Sequence, residues 1–157
     1  MRFEHLVEIN DLDNPLDFTL DRSQVWAGLM ARVEDSVPFL PGLAECRILS
    51  REVGAVERLL VFGAAQIRDR ASFLEAEWVC FETQRTADHA GGTLTIRIEE
   101  PAEGRLFLRF TYETSFGDPG SDPEASAYVD YIKSAYHASD LDTVALIREL
   151  AMARSAH

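Results

Sequence analysis

Cysteine is scarce in this chain: Cys46 and Cys80 are the two among 157 residues. Two cysteines make no disulfide framework, and no CxxC pair offers a redox or metal motif. Both stand in apolar, strand-like runs, where a cysteine behaves as a small reduced core residue. Basic charge is scarce as well. Fifteen Lys and Arg stand among 27 Asp and Glu, a net charge of −12. Phosphate backbones and anionic membrane surfaces draw clustered Lys and Arg, so neither nucleic acid nor a membrane is expected as a partner. The plain use of such charge is solubility. No run reaches the roughly 18 apolar residues of a membrane span. The opening Met-Arg-Phe-Glu-His lacks the apolar centre of a signal peptide, so a cytoplasmic location is expected. GxSxG, GxxxxGK[ST] and GxGxxG are missing, which removes the common hydrolase elbow and the nucleotide loops. His5, His89, His137 and His157 have no second His, Cys or carboxylate at a ligand spacing, so no metal and no cofactor is expected.

What is present is ordinary for a globular protein, 46% hydrophobic and 27% charged, and the length suits one domain over residues 1–157. Residues 2–10 alternate, with Phe3, His5, Val7 and Ile9 on one strand face. Asp11 to Asp17 reads as a loop around Asn14-Pro15. Asp21 is then a candidate N-cap with Gln24 as its capping-box partner. Val25, Trp26, Leu29, Met30 and Val33 make a helical stripe that should fade near Asp35. Pro38 and Pro41 bracket a second short helical turn at Phe39-Leu40.

Six strand candidates follow in hairpin order, at 44–53, 56–63, 66–74, 77–86, 92–100 and 105–115. Gly54, Gly63, Gly91-Gly92 and Pro101 to Gly104 separate them. Short links imply antiparallel pairing. In the last hairpin, Ile98 opposite Leu106 sets apolar against apolar and Glu99 against Arg105. In the first, avoiding like charges favours Glu52 opposite Arg58, with Cys46, Ile48, Leu60 and Phe62 on one face. The strand at 77–86 is apolar on both faces, Trp78 and Cys80 on one and Val79 and Phe81 on the other, so either face can point inward. Gly117 to Pro123 reads as a loop. A long helix then runs to about Ala153, with a stripe of Tyr128, Tyr131, Ile132 and Ala135 and a kink expected near His137 to Asp140, where Ser139 and Asp142 could cap a restart. Strand, two short helices, six strands and a long helix make an α+β architecture.

His5, Ile9-Asn10, Leu20, Gln24-Val25-Trp26-Ala27-Gly28-Leu29, Phe39-Leu40-Pro41, Cys46, Phe62-Gly63, Ala135-Tyr136 and Leu141-Asp142-Thr143 carry a resemblance that spans essentially the whole chain. In them the sequence resembles the START-like or SRPBCC superfamily, which includes the birch pollen allergen and polyketide cyclases. It is most similar to the AtaL-like family of uncharacterised bacterial and fungal proteins. The resemblance implies a helix-grip fold, with a seven-stranded curved antiparallel sheet wrapped around the C-terminal helix and two short helices after the first strand. It also implies a cavity between sheet and helix for an apolar small molecule. It brings no catalytic motif.

Strand parity and this resemblance together select the expected lining: Phe39, Leu40, Ile48, Arg58, Leu60, Phe62, Phe73, Phe81, Ile96, Phe110, Tyr112, Tyr128 and Tyr131. Aromatic walls with a few polar tips suit such a pocket, and equally suit a filled core. Arg58 either grips a ligand carboxylate or enolate, or pairs with Glu52 or Glu82 across the sheet. Arg58, Tyr112 and His137 are the polar groups an enzyme would use, His137 as general base, and Glu82 is placed like Tyr112 to polarise a carbonyl or shuttle a proton. Three functions stay open: a carrier or sensor of a small aromatic or polyketide-like molecule, a cyclase or dehydratase acting on a related compound, and an interaction protein with a filled interior. A homodimer is open as well.

Overall fold

The structure, a computed structural model, describes residues 1–86, 91–114 and 122–156. His89, His157 and the expected loop from 117 to 121 lie outside the described residues. Strand β1 (Arg2–Glu8) leads into helix α1 (Arg22–Glu34) and a single 3-10 turn, Val37–Phe39. Six strands follow: β2 (Glu45–Glu52), β3 (Ala55–Phe62), β4 (Ala65–Leu74), β5 (Trp78–Thr83), β6 (Gly92–Ala102) and β7 (Arg105–Thr114). Helix α2 closes the chain at Pro123–Ser155. The strands form one antiparallel sheet in the order β1-β7-β6-β5-β4-β3-β2. This is the helix-grip arrangement, with the first strand returning to pair with the last.

The local signals explain these boundaries. Asp21 accepts the Gln24 amide while Gln24 Oε1 takes the Asp21 N–H, a full capping box,. Arg58 ends α1 from outside the helix, as described below. Gly54, at φ +74°, makes the two-residue turn between β2 and β3, a conformation that glycine adopts without strain. Helix α2 runs unbroken through the expected kink at 137–140. Its hydrogen bonds continue because the inward positions Asp140, Thr143, Val144, Ile147 and Ala151 stay on one helical face,. No helix among the described residues is long and apolar enough to cross a membrane.

Two registers differ from expectation. In the last hairpin Ile98 faces Leu108, Ile96 faces Phe110 and Leu94 faces Tyr112. That is two residues from the expected pairing, with an irregularity between Glu99 and Ala102. A two-residue slip leaves side-chain parity intact, so the same residues face inward, and the turn rather than the pattern decides between the two. Glu99 therefore pairs with Arg109, not Arg105. In the first hairpin Glu52 stands opposite Ala55, not Arg58. A bulge at Leu49 restores the parity and sets Ile48 opposite Arg58 and Cys46 opposite Leu60,. Glu52 instead reaches Arg70 on β4 at 2.5 Å. Both cysteines are free and half-buried rather than core residues.

Helix α1 lies against α2 where Gly28 meets Ile147. A Cβ at position 28 would sit 2.6 Å from Ile147 Cγ2, a buried branched side chain with little room to yield. Replacing Gly28 by Ala should therefore lower stability by about 1–3 kcal/mol despite alanine's better helix propensity. Urea unfolding at constant slope would read this. An unchanged or raised midpoint would mean the two helices can move apart.

Candidate functional site

A cavity of about 320 Å³ opens between the sheet and the two helices. Its apolar wall comes from Leu40, from Leu60 and Phe62 on β3, Ile67 on β4, Phe81 on β5 and Leu94 on β6. Tyr112 on β7 and Tyr136 on α2 close one side, their rings stacked at 4.0 Å and 7°. Arg32, Ser36, Arg58 and Asp69 supply a polar floor. The half-buried Thr83, Gly91, Gly92 and Thr114 stand at its outer end.

Of the thirteen residues expected to line a pocket, Leu40, Arg58, Leu60, Phe62, Phe81 and Tyr112 do so. Phe81 and Val79 are the inward face of β5, and Trp78 and Cys80 are the outer one. Phe39, Ile96 and Phe110 are packed core without a share in the cavity, and Ile48 and Phe73 pack against that core from its edge. Tyr128 and Tyr131 do not line this cavity. They are 57% and 69% exposed, because α2 is rotated from the expected stripe. Its buried side passes through Val129, Ile132, Tyr136 and Asp140, not through Tyr128, Tyr131 and Ala135. Glu82 points to the outer, exposed face of β5.

Arg58 is 1% exposed, and all three of its nitrogens are hydrogen-bonded. Nε and Nη2 donate to the two Asp69 oxygens at 2.8 and 2.6 Å. Nη1 donates to the Arg32 and Val33 carbonyls, both at 3.0 Å, and to Ser36 Oγ at 2.8 Å. Asp69, its direct cross-strand neighbour, takes the place expected for Glu52 or Glu82. It was missed because a pairing argument along the first hairpin never reached β4. Arg58 therefore holds the last turn of α1 to the sheet, and its charge is already matched by the Asp69 carboxylate.

A second polar chain crosses the site. Asp140, wholly buried, accepts the Tyr112 hydroxyl on Oδ1, and its Oδ2 stands 2.7 Å from His5 Nδ1. Burial pushes the Asp140 carboxyl above its ordinary range, and the hydrogen bonds from Tyr112 and His5 offset part of this,. Burial first, then the charge and hydrogen bond of Asp140, push the Tyr112 phenol far up. Tyr136 is raised by burial and then by Tyr128. His137, the expected base, is exposed and meets His5 edge-on at 4.9 Å. It does not line the cavity. Asp140 and Tyr136 were absent from the expected site because α2 was read with the wrong face inward. The i, i+4 spacing of Tyr136 and Asp140 was the available signal. Among the described residues no three His, Cys, Asp or Glu side chains converge as a metal ion requires.

Two outcomes are expected. Replacing Asp69 by Asn leaves the Arg58 charge buried and uncompensated, which should lower stability by about 3–5 kcal/mol, while Arg58→Met with Asp69→Leu recovers most of it. Denaturant melts of the two variants beside the native protein test this, and a loss under about 1 kcal/mol for Asp69→Asn would contradict the pairing. The Asp140 carboxyl binds its proton more tightly in the folded chain. The stability this contributes is full below the ordinary value of 3.8 and is lost as pH rises through the higher folded value,. As pH rises above 3.8 the native protein should therefore lose stability relative to Asp140→Asn,. Parallel profiles would contradict the assignment.

Solved structures place this geometry in context. The di-domain ARO/CYC StfQ from the steffimycin biosynthetic pathway superposes with a TM-score of 0.73 at 11% identity, covering 99% of this chain and 52% of that one. This chain thus spans about half of StfQ. The Zhui aromatase/cyclase from Streptomyces sp. R1128 superposes at 0.65 and 19% identity, covering 99% and 95%. Human STARD10 superposes at 0.66 and 7% identity, covering 99% and 66%. At such identities the likeness establishes the fold alone. No curated protein matches the chain. The family model described as AtaL, acetylaranotin biosynthesis cluster protein L, matches residues 7–154, and the chain belongs to that family.

Proposed function

We propose that the protein binds a small apolar molecule, aromatic or polyketide-like, in the cavity between its sheet and α2. The cavity itself carries this reading. Its volume of about 320 Å³ falls at the lower end of the roughly 300–1,000 Å³ common for ligand sites. Leucine, isoleucine and phenylalanine walls reward burial of apolar ligand surface at about 25 cal/mol per Å². The stacked Tyr112 and Tyr136 rings offer a flat edge against which an aromatic ring can pack. The fold shared with the StfQ and Zhui aromatase/cyclases supports a polyketide-like ligand. On this reading the protein is a cytoplasmic carrier or sensor. A homodimer would appear in the same mass measurements as the ligand.

Turnover by a cyclase or dehydratase is the second reading, favoured by the buried chain from His5 through Asp140 to Tyr112. The direction of the hydrogen bond weighs against it. Tyr112 donates its proton to Asp140, away from the cavity, and burial holds the phenol protonated. That leaves its oxygen to accept a hydrogen bond from a ligand, which is a binding role.

Native mass spectrometry of the purified protein, with organic extraction, is expected to reveal an apolar compound at near-stoichiometric level. Leu60→Trp should place an indole in the cavity and lower retention by about tenfold or more without unfolding the chain, a loss of ~1.4 kcal/mol or more in binding. A clean apo mass that a panel of apolar compounds fails to shift would overturn the reading in favour of an interaction protein with a closed interior.

A further inference from the structure

We infer that the ligand carries an acidic oxygen group, a carboxylate or an enolate-type oxyanion, and that Arg32 receives it. This rests on the binding reading above and names the chemistry of its ligand.

Two arginines meet at the cavity floor, and they are not equivalent. Both guanidinium groups lie over the Phe81 ring, Arg32 at 5.2 Å and Arg58 at 5.0 Å from its centroid. Arg58 has a bidentate carboxylate partner and three further acceptors. Arg32 has much less. It is 5% exposed, sits in the last turn of α1 and lines the cavity. Its Nη1 donates to Thr143 Oγ1 at 2.9 Å. Its buried Nε finds no acceptor among the described residues.

The two buried carboxylates nearby are committed elsewhere. Asp69 gives both oxygens to Arg58. Asp140 gives one to Tyr112 and one to His5. Burial is the largest influence on the Arg32 charge and disfavours it; Tyr112, Asp140 and Asp69 favour the charge from a distance and Arg58 opposes it.

A guanidinium offers five N–H donors in a planar fork suited to two oxygens on one atom. Burying that charge with one neutral acceptor is costly. Where packing alone matters, an apolar side chain of similar volume does as well or better. An anionic group entering from the cavity supplies the missing counter-charge, and the low dielectric strengthens the contact. The ligand's apolar body then lies along Leu60, Phe62, Ile67 and Leu94. Arg32 thereby takes the role that strand parity had offered to Arg58.

Isothermal titration of the full chain with 2-naphthoate and with 2-naphthamide, near neutral pH, tests this. The two probes share shape and apolar surface and differ in charge. The native protein should bind the acid at least about tenfold tighter, ~1.4 kcal/mol. Arg32→Met should bring the acid down to the amide while leaving the amide's affinity within about threefold, ~0.65 kcal/mol. Arg32→Lys should keep part of the preference, since a point charge replaces a fork. Equal affinity of the native protein for the two probes overturns the inference and leaves the binding reading standing. So does a preference that survives in Arg32→Met. Should Arg32→Met not fold, the native pair and Arg32→Lys still decide. Binding of neither probe overturns the binding reading and this inference with it.

Discussion

Arg58 stands where three parts of the protein meet. Its side chain rises from β3, pairs with Asp69 on β4, and donates to two carbonyls and a hydroxyl at the end of α1. The final carbonyls of a helix have no partner within it and need donors from outside. A cation there also complements the negative end of the helix dipole. One residue thus ends α1, orients the turn toward Phe39 and holds the helix over the sheet. The cavity exists at the point where that contact holds helix and sheet at a fixed separation.

The same contact sets the electrostatics of the site. Two guanidinium groups share the face of Phe81, and one is neutralised by its strand neighbour. The other keeps its charge with a single hydroxyl acceptor. Apolar walls above and an under-compensated cation below make the interior amphipathic. Such a site suits a ligand with an apolar body and a charged head better than a pure hydrocarbon. On the opposite side, Tyr112, Asp140 and His5 form a satisfied chain, which leaves its members hydrogen-bonded to one another before any ligand enters.

Helix α2 decides which side of the C-terminal segment meets this interior. Tyr136 and Asp140 are one turn apart on its inner face, and they meet Tyr112 by stacking and by hydrogen bond. Tyr128 and Tyr131 lie on the outer face. A tyrosine pattern read along the chain gives both sets similar weight, because an amphipathic ring is at home in either place.

Much of the fold was legible from residue order. The period-two runs, the Gly54 turn, the Asp21–Gln24 capping box and the absence of helices between strands depend on neighbours close in sequence. The antiparallel sheet, the helix boundaries and the inward parity of Leu60, Phe62, Leu94 and Phe110 follow from them. Registers were less legible, since a two-residue slip or a bulge at Leu49 preserves every inward side chain. The polar site was least legible. Arg58 with Asp69, Arg32 with Thr143, and His5 with Asp140 join residues 11, 111 and 135 positions apart. Local periodicity carries no information about which polar groups will be buried together. The sequence by itself determined which faces are apolar and where the chain turns. Tertiary packing alone decided which of the two cavity arginines is paired with a carboxylate and which is left with a single neutral acceptor, because that depends on distances set by strand register and helix rotation.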